Sequence, residues 1–392
     1  SARIELRSVA PDANPYLVRL GGINAVRENT RENFLQTTDY IGLALSREEY
    51  DDLRAYTEAF LEAREERFRQ RSQEGYIRDC HGDLRTAHVF LENGISIIDC
   101  IEFNQRFRYS DVASDIAFLA MDLDCHGRPD LSSTLAEEYV HLSRDTGVWD
   151  FLDFYKIYRA YVRGKVECFR LADAALGQGE REKALERAHR DFRLAHSYLT
   201  GIRGTTLFIT TGLVGTGKSR VAGELARRWG LELLSSDVAR KELAGVPPTE
   251  HRYEPFEEGI YSPDFSARTY QHLLQQAEGC LSLGKSVILD ASFRRAVERR
   301  RAAALAKERG ASFVVLECGA PEAVVRERLE RRLQQEGETS DGRWETYQRQ
   351  RGVFEPPDEV TEGSRIAVDT SLPGEEMVFR LLKEIYSRLL AA

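Results

Sequence analysis

Residues 212–219 read Gly212-Leu213-Val214-Gly215-Thr216-Gly217-Lys218-Ser219. The spacing is G-x-x-x-x-G-K-[ST], which suits the cradling of a phosphate chain. Glycines let the backbone come close to an anion, and free N–H groups at a helix start attract it. Lys218 supplies a point charge for the β/γ-phosphates, and the Ser219 hydroxyl a ligand for Mg²⁺. Together with Arg220 these residues form the expected contact set for a nucleotide, ATP in the simplest case. Several further positions could act on a phosphate held there. Asp237, in Ser235-Ser236-Asp237-Val238-Ala239-Arg240, can take the proton of an attacking hydroxyl. Arg240 lies one helical turn on, on the same face. Asp290 ends the apolar run Ser286-Val287-Ile288-Leu289 and is placed to order Mg²⁺. Arg328, Arg331 and Arg332 stand in a charged run, and such cations can stabilise charge on a transferred phosphoryl group. Arg328 is the preferred one. Ser292 and Arg295 are weaker candidates near a substrate.

The first half holds a second carboxylate pair. Asp83 lies in His81-Gly82-Asp83-Leu84-Arg85-Thr86-Ala87-His88, and Asp99 follows Ile95-Ser96-Ile97-Ile98. Between them two strand-like runs, 89–91 and 95–98, flank a Glu92-Asn93-Gly94 turn. One Asp before a hairpin and one after it can converge, one orienting a hydroxyl and the other holding Mg²⁺. Plainer readings stand beside these: a helix N-cap for Asp237, a strand-end turn for Asp290, and a solvated face for the arginine run.

The elements that must position these residues follow from periodicity. Strands are expected at 205–210, 231–235, 286–290, 312–317 and 364–368, alternating with helices at 218–229, 237–244, 266–283, 294–309, 321–335, 340–351 and 374–391. That alternation predicts an α/β parallel sheet with ligands at the strand carboxyl ends. The 247–261 stretch, with its prolines and aromatics, is expected to wall the acceptor site. The first half is mostly α: helices at 24–40 and 46–71, the latter opened by a Ser46/Glu49 capping box, and a helical 131–200 broken at Gly177-Gln178-Gly179. Its aromatic stripe at Phe151, Phe154, Tyr155, Tyr158 and Tyr161 reads as core. Gly201-Ile202-Arg203-Gly204 divides the chain into 1–203 and 204–392.

The whole chain has 392 residues and a net charge of −9. Neither half has the basic excess of a bulk nucleic-acid binder. No run approaches a membrane span. Six scattered cysteines without a C-x-x-C pair argue against zinc and a disulfide framework and fit a cytoplasmic setting.

The 81–88 segment resembles H-G-D-x-x-x-x-N of the aminoglycoside-phosphotransferase and protein-kinase-like superfamily. The resemblance implies a catalytic base at Asp83, a metal ligand at Asp99, and a usually structural Asp-rich helix at 109–119. His88 stands where the family has Asn. The first lysine is Lys156, and no Gly-rich loop precedes residue 81. The expectation is therefore a C-lobe-like domain without its nucleotide-clamping lobe, inactive by itself. A missing N-lobe segment of the same protein is then a possible partner. The second half resembles P-loop kinases of the zeta-toxin, gluconate-kinase and polynucleotide-kinase-like group, with a lid at 325–348. That implies ATP/Mg²⁺-dependent transfer to an unidentified hydroxyl acceptor. A nucleotide-sensing regulator and a polynucleotide 5′-hydroxyl kinase are the alternatives.

Overall fold

A computed structural model describes residues 15–92, 94–247, 258–332 and 344–391. The chain divides into two compact units, Ser1–Ile202 and Arg203–Ala392. Residues 1–14, most of the 247–261 stretch and the middle of the expected 325–348 lid, residues 333–343, lie outside the described residues.

In the second unit, apolar and β-branched runs form five parallel strands: β1 (Thr206–Thr211), β2 (Glu232–Ser235), β3 (Val287–Asp290), β4 (Ser312–Gly319) and β5 (Arg365–Asp369). Their order is β2-β3-β1-β4-β5. The central strand β1 is buried along its whole length, as is β3. This is what continuous apolar runs require when helices cover both faces of a parallel sheet. The helices are α1 (Lys218–Trp229), α2 (Ser236–Leu243), α3 (Pro263–Ser282), α4 (Ala296–Glu308), α5 (Glu322–Arg332), α6 (Trp344–Val353) and α7 (Gly374–Ala391). Leu207, Ile209, Leu289 and Val315 of the sheet pack with Leu273, Ala277, Ala302 and Ala306 of α3 and α4. The expected α/β parallel sheet and mostly helical first half are both observed, with the five strands within a residue or two of their expected places.

The first unit is mostly helical. Its core holds an aromatic cluster in which Phe60 stacks on Phe154 at a centroid distance of 4.4 Å, with Phe68, Phe151 and Tyr155 edge-on around them. The aromatic stripe of the Leu152–Leu171 helix is core at Phe154, Tyr155 and Tyr161, whereas Phe169 is exposed. The Ser46 capping box forms: Glu49 N–H donates to Ser46 Oγ at 3.1 Å and Ser46 N–H to Glu49 Oε2 at 2.8 Å. The single helix expected over 46–71 is instead two, Arg47–Ala63 and Glu65–Gln73, with Arg64 off the helical conformation at φ −109° between them. A short antiparallel pair, Ile77–Asp79 with Tyr109–Asp111, has three residues a side, too few for a period to show. Arg71 closes this region by pairing with both Asp111 and Asp145, each through two bonds of 2.7–2.8 Å. All three side chains are almost wholly buried.

Candidate active site

The carboxyl end of β1 runs into the 212–219 loop, and α1 follows directly. Gly212 has φ +136° and Gly217 φ +86°, conformations that L-residues with a Cβ rarely adopt. Space is short as well. A Cβ on Gly212 would lie 2.4 Å from the Cys318 carbonyl oxygen, and one on Gly217 3.0 Å from Thr370. Gly217 is the N-cap of α1 and supplies no side-chain cap. A helix start without a side-chain cap is the kind of N-terminus at which anions bind. Lys218 Nζ donates to the Leu213 carbonyl at 2.7 Å, folding back over its own loop. Ser219 and Arg220 are exposed.

The loop is buttressed on three sides. Thr216 Oγ1 donates to Leu213 O at 2.8 Å. Thr370, just past β5, donates to Thr216 O at 2.8 Å and accepts from Arg328 Nη1 at 2.9 Å, while Arg328 Nη2 donates to the Thr370 carbonyl at 2.6 Å. Gln350 of α6 accepts from the Val214 N–H at 2.9 Å. Leu213 and Val214 pack against a small cluster of Val325, Leu329 and Tyr347, which ties α5 and α6 to the loop. Burial first, and then the charges of Arg220 and Arg331, push the Arg328 guanidinium below its ordinary pKa. Cations that destabilise one another beside this loop and helix N-terminus make a local positive potential that a phosphate chain relieves.

Two carboxylates sit at the ends of neighbouring strands. Asp290 ends β3 and pairs in register with Ser235, and Asp237 lies in the first turn of α2, two residues beyond. Asp290 is buried, with Thr210 Oγ1 at 3.4 Å from its Oδ1. The oxygen donors at this end of the sheet, the Ser219 hydroxyl and the Asp290 carboxylate, are of the kind Mg²⁺ takes. Arg240 turns elsewhere. It is 7% exposed. Its Nη1 donates to Ile260 O at 2.6 Å and to Ser266 Oγ at 3.1 Å, and it lies over the Tyr261 ring at 4.9 Å. Its partners among the described residues include the start of α3 and the segment before it. Arg331 is exposed, and the side chain of Arg332 lies outside the described residues. Ser292 Oγ is 3.2 Å from Tyr270 OH, whose oxygen accepts from the Phe293 N–H at 3.0 Å. Arg295 is exposed at the N-cap of α4.

In the first unit Asp83 and Asp99 flank the hairpin Val89–Phe90 with Ser96–Ile97. Asp115 holds the loop by accepting from the His81 N–H (2.6 Å) and the Gly82 N–H (2.9 Å). Asp83 is clamped by Arg85 through bonds of 2.7 and 2.9 Å. His88 is buried between the carboxylates. Its Nδ1 lies 2.8 Å from the Asp83 carbonyl, so that nitrogen donates. Its Nε2 is 3.4 Å from Asp99 Oδ2 and 3.3 Å from Arg85. Asp99 has an exposed side chain and φ +64°. Among the described residues no three His, Cys, Asp or Glu side chains converge as a metal site. Beside Asp83 and Asp99 opens a cavity of about 940 Å³, lined by Arg106, Tyr158, Arg159 and Lys165 among others.

Thr370, Gln350 and Tyr270 escape sequence reasoning. Thr370 could be placed from topology, since it follows a strand end, but neither Gln350 nor Tyr270 carries a local signal.

Residues 207–357, from β1 through α6, match the family model described as an AAA domain. This part of the chain has the fold of P-loop kinases, which bind nucleotide at the loop between the first strand and helix. An uncharacterized protein of Mycobacterium tuberculosis and one of Mycobacterium bovis are each 33% identical over 310 residues, 79% of this chain. The chain spans 61% of the length of these curated relatives. Among solved structures, a gluconokinase from Sinorhizobium meliloti is similar at 18% identity, TM-score 0.33, over 48% of this chain and 92% of that one. An APS kinase of M. tuberculosis, in complex with AMPPNP and APS, is similar at 18% identity, TM-score 0.34, over 46% of this chain and 97% of that one. No helix among the described residues is long and apolar enough to cross a membrane.

Proposed function

We propose that the Arg203–Ala392 unit is an ATP/Mg²⁺-dependent phosphotransferase acting on a hydroxyl acceptor. The observation that carries the reading is one juxtaposition. The glycine-rich 212–219 loop with Lys218 lies at the same sheet end as Asp290 and the start of α2 with Asp237. On this reading Gly212 through Ser219 and Arg220 bind the triphosphate. Lys218 leaves the Leu213 carbonyl for the β/γ-phosphates. Ser219 and Asp290 would hold Mg²⁺, which when bound supplies neutralisation of phosphate charge. Asp237 accepts the acceptor's proton as its oxygen bonds to the γ-phosphorus. The bond from that phosphorus to the bridging oxygen breaks, and ADP leaves. Arg328, already pinned to Thr370 beside the loop, offers positive charge to the transferred group. Arg240 acts as a positioning residue that holds the Ile260–Ser266 segment.

The test is label transfer from γ-labelled ATP to a panel of nucleosides, oligonucleotide 5′ ends, sugars and aminoglycosides. Lys218→Ala is expected to lose both ATP binding and transfer. Asp237→Ala is expected to keep binding and to lose transfer by about 10²–10⁴-fold, the range for a general base. Retained turnover in Lys218→Ala sinks the proposal. An Asp237→Ala variant that transfers normally points instead to a nucleotide-sensing role. Steep salt dependence of acceptor binding would favour the polynucleotide kinase.

For the first unit we propose an aminoglycoside-phosphotransferase-like C-lobe that does not transfer phosphate in this chain. Asp83 is held in its ion pair with Arg85, and His88 occupies the space between Asp83 and Asp99. Phe90, Leu91, Ile95, Ile98 and Phe103 on and beside the hairpin are exposed, which suits a further segment of a longer parent protein packing there.

A further inference from the structure

A second cavity of the first unit, about 410 Å³, lies outside the Asp83–Asp99 site. Its size is that of small-molecule pockets. Its polar lining includes Arg85, Thr86, Asp122, His126, Arg163, Arg190 and Asp191. Arg85 and Arg163 also line the larger cavity, so these two side chains form part of the wall between them.

The charges in the small cavity are unevenly satisfied. Asp122 Oδ2 is engaged by the backbone N–H and hydroxyl of Thr86 at 2.9 and 2.5 Å. Arg190 pairs with Asp191 at 3.0 Å. Arg163 fares worse. Its carboxylate partner, Glu167, stands 3.9 Å away and is shared with Arg170 at 3.2 Å and Arg187 at 3.1 Å. Three guanidiniums therefore draw on one buried carboxylate, and Asp191 is the further carboxylate within electrostatic reach of Arg163. Asp191 is only 3% exposed, and its Oδ2 has no hydrogen-bond partner among the described residues. Burial raises its pKa. An underpaired guanidinium and a half-satisfied buried carboxyl in one cavity call for an anion that also carries a donor.

We propose that this cavity binds a small phosphorylated or carboxylated molecule bearing a hydroxyl or ammonium donor, held by Arg163 and Arg190 and competing with Asp83 for Arg85. Arg85 makes both of its strong bonds to Asp83. An anion that draws Arg85 towards the small cavity frees the Asp83 carboxylate on the other side of the wall. Ligand in one cavity thus alters the charge presented in the other, a coupling through a single shared side chain.

The test uses the full chain carrying Lys218→Ala, so that anion binding at the 212–219 loop does not contribute. Inorganic pyrophosphate and citrate serve as phosphate and carboxylate probes in calorimetric titrations. At least one is expected to bind, and which of them does distinguishes the two sources. Adding Arg163→Ala or Arg190→Ala should weaken binding about tenfold or more, as for loss of a charge-assisted bond. Arg106→Ala, which alters only the larger cavity, should change it less than about twofold. In ¹⁵N spectra the Arg85 Nε–H resonance should move on titration and stay still in Arg163→Ala. The proposal is overturned if neither probe binds. It is equally overturned if Arg106→Ala weakens binding while Arg163→Ala and Arg190→Ala leave it intact. Circular dichroism of each variant separates lost binding from lost fold.

Discussion

Gly212 gives the sharpest test of how the loop at the end of β1 is built, because Gly223, eleven residues on, supplies its control. Replacing Gly212 with alanine asks a Cβ to occupy φ +136° and to sit 2.4 Å from the Cys318 carbonyl oxygen and 3.0 Å from Thr216 Oγ1. The conformational cost is about 1–2 kcal/mol. The collision is with backbone of the neighbouring strand, which cannot swing aside, and overpacking of that kind costs about 1–3 kcal/mol. The expected loss is therefore roughly 2–5 kcal/mol. With a urea slope near 2 kcal/mol/M, the midpoint falls by about 1–2.5 M. Gly223 lies inside α1, and an added Cβ there meets no heavy atom within 4 Å. The same substitution should raise stability by about 0.5–1 kcal/mol. Trp229 packs against Phe208 and Tyr386 in the second unit, so its fluorescence reports that unit. A Trp149→Phe background removes the half-exposed tryptophan of the first unit. Equal midpoints for Gly212→Ala and Gly223→Ala would refute the strain argument.

Two other expectations follow from contacts around the sheet. Gln350→Ala removes the acceptor of the Val214 N–H, and amide exchange at Val214 should quicken by a factor of about 2–12, the equivalent of ~0.5–1.5 kcal/mol; unchanged exchange would show that the bond does not hold the loop. Among the six free thiols Cys100 is exposed, while Cys168 and Cys318 are buried and pushed by burial up to about 12. Iodoacetamide at pH 8 should label Cys100 first and the other two only on unfolding, as peptide mass mapping would reveal.

Much of the second unit was legible because its signals are local. β1 and β3 are unbroken apolar runs, the 212–219 loop has fixed spacing, and Asp290 closes its strand. Ser46 and Glu49 were legible for the same reason, since a cap is written within four residues. What escaped is long-range. Gln350 reaches Val214 and Thr370 reaches Thr216 across the fold, and no periodicity encodes such a bond. Arg240 illustrates the limit from the other side. Its place one turn after Asp237 suggested a substrate contact, and one of its nitrogens, Nη1, donates to Ile260 and Ser266. Spacing on a helix sets the face but not which neighbour claims the side chain. Asp83 is similar, since Arg85, two residues on, takes its carboxylate.

The strand order bears on how the second unit comes to exist as the chain is made. β1 is central, and its two partners begin only at Val287 and Ser312. A nascent chain that has exposed the 212–219 loop therefore has no sheet to hang it on until about seventy more residues have emerged, and β1 lacks its second neighbour until β4 follows. Pairings of such sequence separation close slowly. During that interval Leu207, Phe208 and Ile209 are bare to solvent and to other chains. The stage most vulnerable to aggregation is thus the one before β4 is released, and a pulse-labelled chain stalled near residue 300 should be more protease-sensitive across β1 than one stalled beyond 320.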